Sequence, residues 1–229
     1  MTGFQLYAAV AIVAVLVAMP IHYVLFARRQ PHPGLGERHV KRYNVWERLV
    51  HLALLASFIV LAWTGFSASI GWGGPMHGYL LMIHTTSGAV FAVTVGIMFL
   101  TWAADHAFTK CDLQWIRDGG CLATKELPAG RFSAGDKMYF WLAGLLTLVA
   151  LLSMLLSMIP VLGTGGQLLM YNVHRWSTLV LVLATLWHAY VTLAKPGALT
   201  AILTGRVSAA WVKRFHPLWG AGHDATGRK

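Results

Sequence analysis

Two histidines on one long apolar stretch constrain this chain more than any other feature. The stretch runs from Tyr171 to Ala194, and His174 and His188 lie fourteen positions apart within it. On an α-helix, fourteen residues rise about 21 Å and return to nearly the same face. Imidazole is costly in hydrocarbon, and ionisable groups there usually mark a function. A lone membrane histidine often only bonds a neighbouring helix, but two on one face at opposite depths favour two stacked cofactors.

Apolar runs of this length recur along the chain. The sequence is 57% hydrophobic and only 11% charged, whereas soluble domains contain about 25% charged residues. Several uncharged runs reach the roughly 20 residues that a membrane-spanning helix requires. They predict spans at residues 4–27, 49–69, 81–103, 138–160 and 171–194. We therefore expect an all-α integral membrane protein, a five-transmembrane-helix bundle that forms a single domain over residues 1–229.

The positive charges occur in alternate loops and predict the orientation. Of the 18 Lys and Arg residues, all but Arg175 fall between spans one and two, between spans three and four, or after span five. The positive-inside rule makes those segments cytoplasmic, with a periplasmic N-terminus and a cytoplasmic C-terminus. The distribution explains the net charge of +10 through the membrane lipid surface, so we expect no nucleic-acid partner. His22, near the inner end of the first span, is expected at the interface.

Two further histidines match the first two in depth. In this topology His51 lies near the inner end of span two and His84 near the outer end of span three. The sequence therefore predicts two pairs of histidines at matching depths in the membrane, His84 with His174 and His51 with His188. Neutral imidazole suits haem iron, and an iron with two histidine ligands has no open position for oxygen. We expect two bis-histidine haem b groups that carry electrons across the membrane.

Two glycines and two arginines are expected to help hold these haems. Gly65 follows His51 by fourteen residues on nearly the same face, and Gly88 lies one turn after the histidine of span three. Glycine leaves room for a flat ligand, although helix packing alone also explains a membrane glycine. Arg48 and Arg175 lie close to predicted ligands, and we expect both to pair with haem propionates.

Several motifs in a fixed order carry a family resemblance. They are Arg48–His51, Thr64-Gly65, His84–Gly88, Ser133–Lys137 followed by Phe140-Trp141, the His174/His188 helix, Gly205–Trp211 and His216–Trp219. Over residues 42–219 the chain resembles the cytochrome b (gamma) subunit of membrane-bound respiratory formate dehydrogenase, a bacterial inner-membrane protein. The better-known members have four spans, so the resemblance implies a four-helix dihaem core and an additional N-terminal helix at 4–27.

The resemblance implies a role in an electron-transfer complex. In that family a molybdenum or tungsten subunit oxidises formate outside the membrane. An iron–sulfur subunit passes the electrons to the outer haem and then the inner haem, and quinone is reduced near the cytoplasmic face. The chain would then be the electron-transfer and quinone-reducing subunit rather than the formate-oxidising one.

The same resemblance implies a quinone site at the inner haem. The site would use the loop before span four and the inner ligand, here Ser133, Gly135, Asp136 and His188. The family loop typically reads Asn-Ala-Gly-Gln-Lys, so Ser133 and Asp136 replace two amides. This substitution changes the hydrogen bonding that a quinone would meet.

Other functions fit parts of the pattern. The same conduit could serve a hydrogenase, a thiosulfate reductase or another oxidoreductase, and co-purifying subunits would separate these cases. A haem-free transporter with a histidine proton relay predicts a colourless protein. A haem enzyme with an open iron site predicts high-spin iron that binds carbon monoxide.

Overall fold

The computed structural model describes residues 3–30 and 36–220, and this part of the chain is mostly helical. Its α-helices are α1 (Gly3–Leu25), α2 (Val45–Phe66), α3 (Gly78–Trp102), α4 (Lys110–Arg117), α5 (Ala134–Met158), α6 (Gly163–Leu193), α7 (Ala198–Thr204) and α8 (Ala209–Phe215). A π-helix, Ser67–Trp72, continues α2. The predicted single domain also includes residues 1–2, 31–35 and 221–229, which lie outside the described residues.

Within residues 3–30 and 36–220, five helices are long and apolar enough to cross a membrane, namely α1, α2, α3, α5 and α6. This confirms the predicted fold class, an all-α multi-pass membrane protein with five spans. The fifth span was placed wrongly at its outer end, because residues 161–170 were expected to form a loop and α6 begins at Gly163. Glycines and a glutamine lower the hydropathy of this segment without ending the helix. His174 therefore lies about three turns inside α6.

Two short strands were not anticipated. Strand β1 (Val40–Lys41) pairs antiparallel with β2 (Arg206–Val207), and Val40 lies opposite Val207. The ladder joins the connector before α2 to the segment after α7. Two-residue strands carry no alternation long enough to recognise in a sequence.

The chain forms two compact units, and the first comprises Met1–Leu16, Val50–Leu100 and Trp141–Leu186. In its core, Phe4 and Ala8 of α1 pack against Leu179 of α6. The Phe4 ring also meets Trp176 edge-on, with ring centroids 5.1 Å apart. The additional N-terminal helix thus packs on α6 within this unit.

The second unit comprises Val17–Leu49, Thr101–Phe140 and Trp187–Lys229. Two of its sets of ion pairs include buried side chains. Arg131 bonds Glu47 and Asp105, each at 2.5 Å. Lys137 of α5 bonds Asp112 of α4 at 2.7 Å, and both side chains are buried. The loop between α3 and α5 is therefore a folded part of this unit.

His22, which is expected at the membrane interface, is bonded within the protein. In the second unit its side chain is buried, 7% exposed. Its Nδ1 lies 2.7 Å from the Tyr190 hydroxyl and its Nε2 lies 2.9 Å from the Cys121 carbonyl. These bonds satisfy both ring nitrogens within the protein, so the imidazole does not need to reach toward water.

Candidate functional site

The predicted outer ligands come together in the first unit. His84 of α3 and His174 of α6 have ring centroids 6.4 Å apart, with ring planes at 76°. A metal-bound imidazole nitrogen lies about 2 Å from the metal and about 1 Å from its ring centroid, so two imidazoles on opposite sides of one metal have centroids about 6 Å apart. The observed separation therefore fits a pair that shares one iron.

A hydroxyl group fixes the His84 ring. Thr64 Oγ1 of α2 lies 2.7 Å from His84 Nδ1, and the hydroxyl also donates to the Val60 carbonyl at 2.7 Å. With its own proton placed there, the Thr64 oxygen can accept from the Nδ1–H of His84. The lone pair of the ring is then on Nε2. Metal-bound histidines usually donate their other ring N–H to a partner of this kind.

A main-chain carbonyl fixes the His174 ring. His174 Nδ1 lies 2.9 Å from the carbonyl oxygen of Ala150 in α5. A carbonyl only accepts, so Nδ1 carries the hydrogen and Nε2 carries the lone pair. Both rings are thus held as the neutral tautomer that a metal ligand requires. Sequence reasoning missed both partners, although Thr64 belonged to a quoted motif.

A Cβ atom would fit without a clash at either of the two glycines. A Cβ atom at Gly65 would lie 3.5 Å from His84 Cε1, and one at Gly88 would lie 3.8 Å from Leu61 Cδ2. These are ordinary van der Waals distances, so side-chain crowding does not require glycine at either position. The room beside the imidazole is compatible with a flat ligand.

Arg175 is the charged residue next to the outer pair. Its guanidinium lies over the Phe4 ring at 4.0 Å and over the Tyr171 ring at 5.3 Å. Its Nε is buried and has no hydrogen-bond partner among residues 3–30 and 36–220. A donor of this kind is available to an anionic group.

The predicted inner ligands belong to different units, His51 to the first and His188 to the second. The His188 ring stacks on Tyr139, with centroids 4.0 Å apart and planes at 7°. Arg48, in the second unit, donates from Nε to the Ile202 carbonyl at 3.0 Å and from Nη2 to that of Leu203. The pairing of the two inner histidines stays a prediction from the sequence.

The predicted quinone residues form the start of α5. Asp136 Oδ2 accepts from the Ser133 amide at 3.0 Å and from its hydroxyl at 2.7 Å. Asp136 also interacts electrostatically with His188. A Cβ atom on Gly135 would lie 3.3 Å from the Trp115 ring. Ser133 and Asp136 thus form a helix cap, and His188 lies close enough to Asp136 to interact electrostatically.

The burial of two histidines of the second unit was not anticipated, although His216 belonged to a quoted motif. His106 lies between the Phe132 and Phe140 rings, 4.1 Å from each centroid. His216 is 1% exposed and bonds the Gly130 carbonyl at 2.7 Å. Burial lowers the pKa of His106 and holds the pKa of His216 well below its usual range. Both lie in polar segments whose sequence gives no sign of burial.

Comparison with known proteins agrees with these features. Residues 42–205 match the family described as prokaryotic cytochrome b561. The chain is 25% identical over 194 residues to the cytochrome b556(fdo) subunit of formate dehydrogenase from Escherichia coli K12, covering 79% of this chain and 91% of that protein. It is 25% identical over 196 residues to the nitrate-inducible cytochrome b556(Fdn) subunit of the same strain, covering 79% and 89%.

A third relative comes from another organism. The cytochrome b556 subunit of formate dehydrogenase from Haemophilus influenzae is 24% identical over 207 residues, covering 80% of this chain and 83% of that protein. The resemblance inferred from the motifs is confirmed. The family match begins after α1.

Proposed function

Because the chain belongs to the prokaryotic cytochrome b561 family, we propose that it is the dihaem membrane subunit of an oxidoreductase complex and delivers electrons to quinone. Membership in a cytochrome b family implies haem b. The observation that carries the proposal is the His84–His174 pair, whose ring spacing and tautomers suit one iron. When bound, each haem supplies a one-electron carrier whose ligation leaves no position for substrate.

Each haem has a named set of residues in this proposal. His84 and His174 hold the outer group, with Gly65 and Gly88 beside it. Arg175 binds an outer propionate, and this is supported by its Nε, which has no partner in the described part of the chain.

His51 and His188 hold the inner haem, an assignment that rests on their depth along the sequence. Arg48 binds an inner propionate. Two of its five N–H donors are engaged by main-chain carbonyls, so the others serve the propionate.

The quinone site lies at the start of α5. We assign Ser133, Gly135, Asp136 and His188 to it, following the family resemblance and the electrostatic link between Asp136 and His188. In this site Ser133 and Asp136 bond each other in place of the two amides of the family loop.

The partners follow from the relatives, which are subunits of formate dehydrogenases. We assign an iron–sulfur subunit and a molybdenum or tungsten catalytic subunit on the periplasmic side of the bacterial inner membrane. The loops rich in Lys and Arg lie in the cytoplasm under the positive-inside rule. Formate oxidation outside and proton uptake inside would then build a membrane potential without a pumping channel.

The first test is the haem content of the purified protein. Oxidised and dithionite-reduced spectra, with haem b counted per chain, should show two low-spin haems. One haem would mean that one of the two pairs of histidine ligands is misassigned. A folded protein without haem would eliminate the electron-transfer function.

The second test concerns the partners and the quinone. The complex purified through a tag on this chain should contain the two proposed subunits and should reduce quinone with formate. A different set of co-purifying subunits would make this chain the electron-transfer subunit of another oxidoreductase. In proteoliposomes, turnover without a membrane potential would contradict the proposed topology.

A further inference from the structure

We propose that Thr64 is a positioning residue for the outer haem ligand and sets the reduction potential of that haem. The inference rests on the proposed function, because it requires His84 to ligate iron. Thr64 does not touch the reacting atoms. It acts through the ring whose Nδ1 it bonds at 2.7 Å.

The surroundings of Thr64 favour its oxygen as a hydrogen-bond acceptor for His84. The side chain is 2% exposed, and Oγ1 lies 2.7 Å from the Val60 carbonyl and 3.2 Å from that of Leu61. The hydroxyl proton can bond one of these carbonyls, and the oxygen can then receive the Nδ1–H of His84. When Nε2 of His84 is the ligand atom, Nδ1 carries the hydrogen, so the bond runs from the Nδ1–H to the Thr64 oxygen.

The two outer ligands differ in what holds them. His174 donates to the Ala150 carbonyl, a main-chain group that substitution does not remove. His84 donates to a side-chain hydroxyl, which a substitution can remove without changing shape. Of the two hydrogen-bond partners, Thr64 is therefore the one that a substitution can change.

The expected direction of the effect follows from the bonding. An Nδ1–H that donates to an acceptor makes Nε2 a better electron donor, and a better donor stabilises the ferric iron over the ferrous. Removing the acceptor should raise the potential of the outer haem. Loss of such a partner costs about 10- to 100-fold in metal affinity. A tenfold loss confined to the ferric form corresponds to about 59 mV in a one-electron couple.

The experiment compares Thr64→Val with a matched control in the complete complex. Valine keeps the shape of threonine and removes the acceptor. Thr94→Val is the control, because Thr94 is buried, 7% exposed, and its hydroxyl bonds the Val90 carbonyl at 2.7 Å in the same manner. Thr64→Ser should restore the wild-type behaviour because it keeps the hydroxyl. Redox titration followed in the visible spectrum reports both haems, and low-temperature EPR reports the ligand field of each.

The possible outcomes distinguish failure of the role of Thr64 from failure of the proposed haem function. Thr64→Val should raise one of the two midpoint potentials and shift one low-spin EPR signal, while Thr94→Val leaves both unchanged. If Thr64→Val loses only one haem and retains the other, the positioning role also holds. Two low-spin haems with unchanged potentials and EPR signals in Thr64→Val would overturn this inference alone. A wild-type protein without bis-histidine haem would instead overturn the proposed function.

Discussion

The two units of this protein use polar groups in opposite ways. Among its Asp, Glu, Lys and Arg residues, the first unit contains only Arg175, whereas the second contains the other Lys and Arg and all eight acidic residues. Thr64 in the first unit bonds its own helix and a histidine. Arg131 and Lys137 in the second unit form ion pairs.

The cost of charge explains the difference. A charged side chain at the centre of a bilayer costs about 2.5–3.5 kcal/mol on insertion scales. A hydroxyl avoids this cost by bonding the preceding turn of its own helix. The first unit therefore relies on uncharged polar groups, of which Thr64 contacts an imidazole, and the second unit uses charge to hold a loop.

The largest effect should come from the histidines themselves. His84→Ala should remove the outer haem and block electron transfer from the partner completely. His188→Ala should remove the inner haem and abolish quinone reduction while the partner still reduces the outer haem. Haem counts and quinone reductase assays measure both results. His77→Ala changes an exposed loop histidine and should retain both haems. Quinone reduction that survives in His188→Ala would show the proposed path to be wrong.

The next largest effect tests the ion pairs of the second unit. Lys137→Ala leaves the Asp112 carboxylate buried without its cation, and the loss of one partner of a buried pair costs about 3–5 kcal/mol. Thermal unfolding in detergent measures this loss. Lys125→Ala is the control, because the Lys125–Asp118 pair at 3.3 Å has a lysine side chain that is 62% exposed. An exposed pair contributes about 0–1 kcal/mol. Equal losses in the two variants would show that burial does not decide the strength of these pairs.

The two units also differ in how well the sequence predicted them. The apolar runs and the depth of His84 and His174 led to the observed pair, because helix periodicity carries that information. The Thr64 and Ala150 partners could not be predicted, since they depend on how neighbouring helices are rotated. Burial of His22 depends on contacts with residues far away in sequence.

A smaller effect concerns pH and the buried histidines of the second unit. Burial, with the nearby positive charges of Arg42 and Lys195, holds the pKa of His216 well below its usual 6.5. As pH falls below 6.5, the unfolded chain takes up a proton that the folded protein does not. The free energy of unfolding should therefore fall by about 1.4 kcal/mol per pH unit through this residue.

The variant His216→Gln tests this slope. It should flatten the acid-side fall in thermal stability by about that amount, although it lowers stability at pH 8. His39→Gln, which changes a histidine whose side chain is 75% exposed, should leave the slope unchanged. An unaltered slope in His216→Gln would contradict the assignment.

The smallest effect is expected at Gly65. An alanine there would place Cβ 3.5 Å from His84 Cε1, an ordinary contact, and alanine favours a helix by up to about 1 kcal/mol over glycine. Thermal stability of the haem-free protein should therefore be unchanged or slightly raised. Haem content should fall if the outer haem lies against Gly65. An unchanged haem content would show that Gly65 serves helix packing and not haem binding.

The anchoring of His22 has a consequence for how the protein is made. Its two partners, Cys121 and Tyr190, follow it by 99 and 168 residues in the chain. At about 5–20 residues per second of translation, Tyr190 is synthesised roughly 10–30 s after His22. Helix α1 therefore acquires the hydrogen bond between His22 and Tyr190 only after α6 has been made. During that interval the His22 imidazole depends on water, lipid headgroups or the insertion machinery for its bonds.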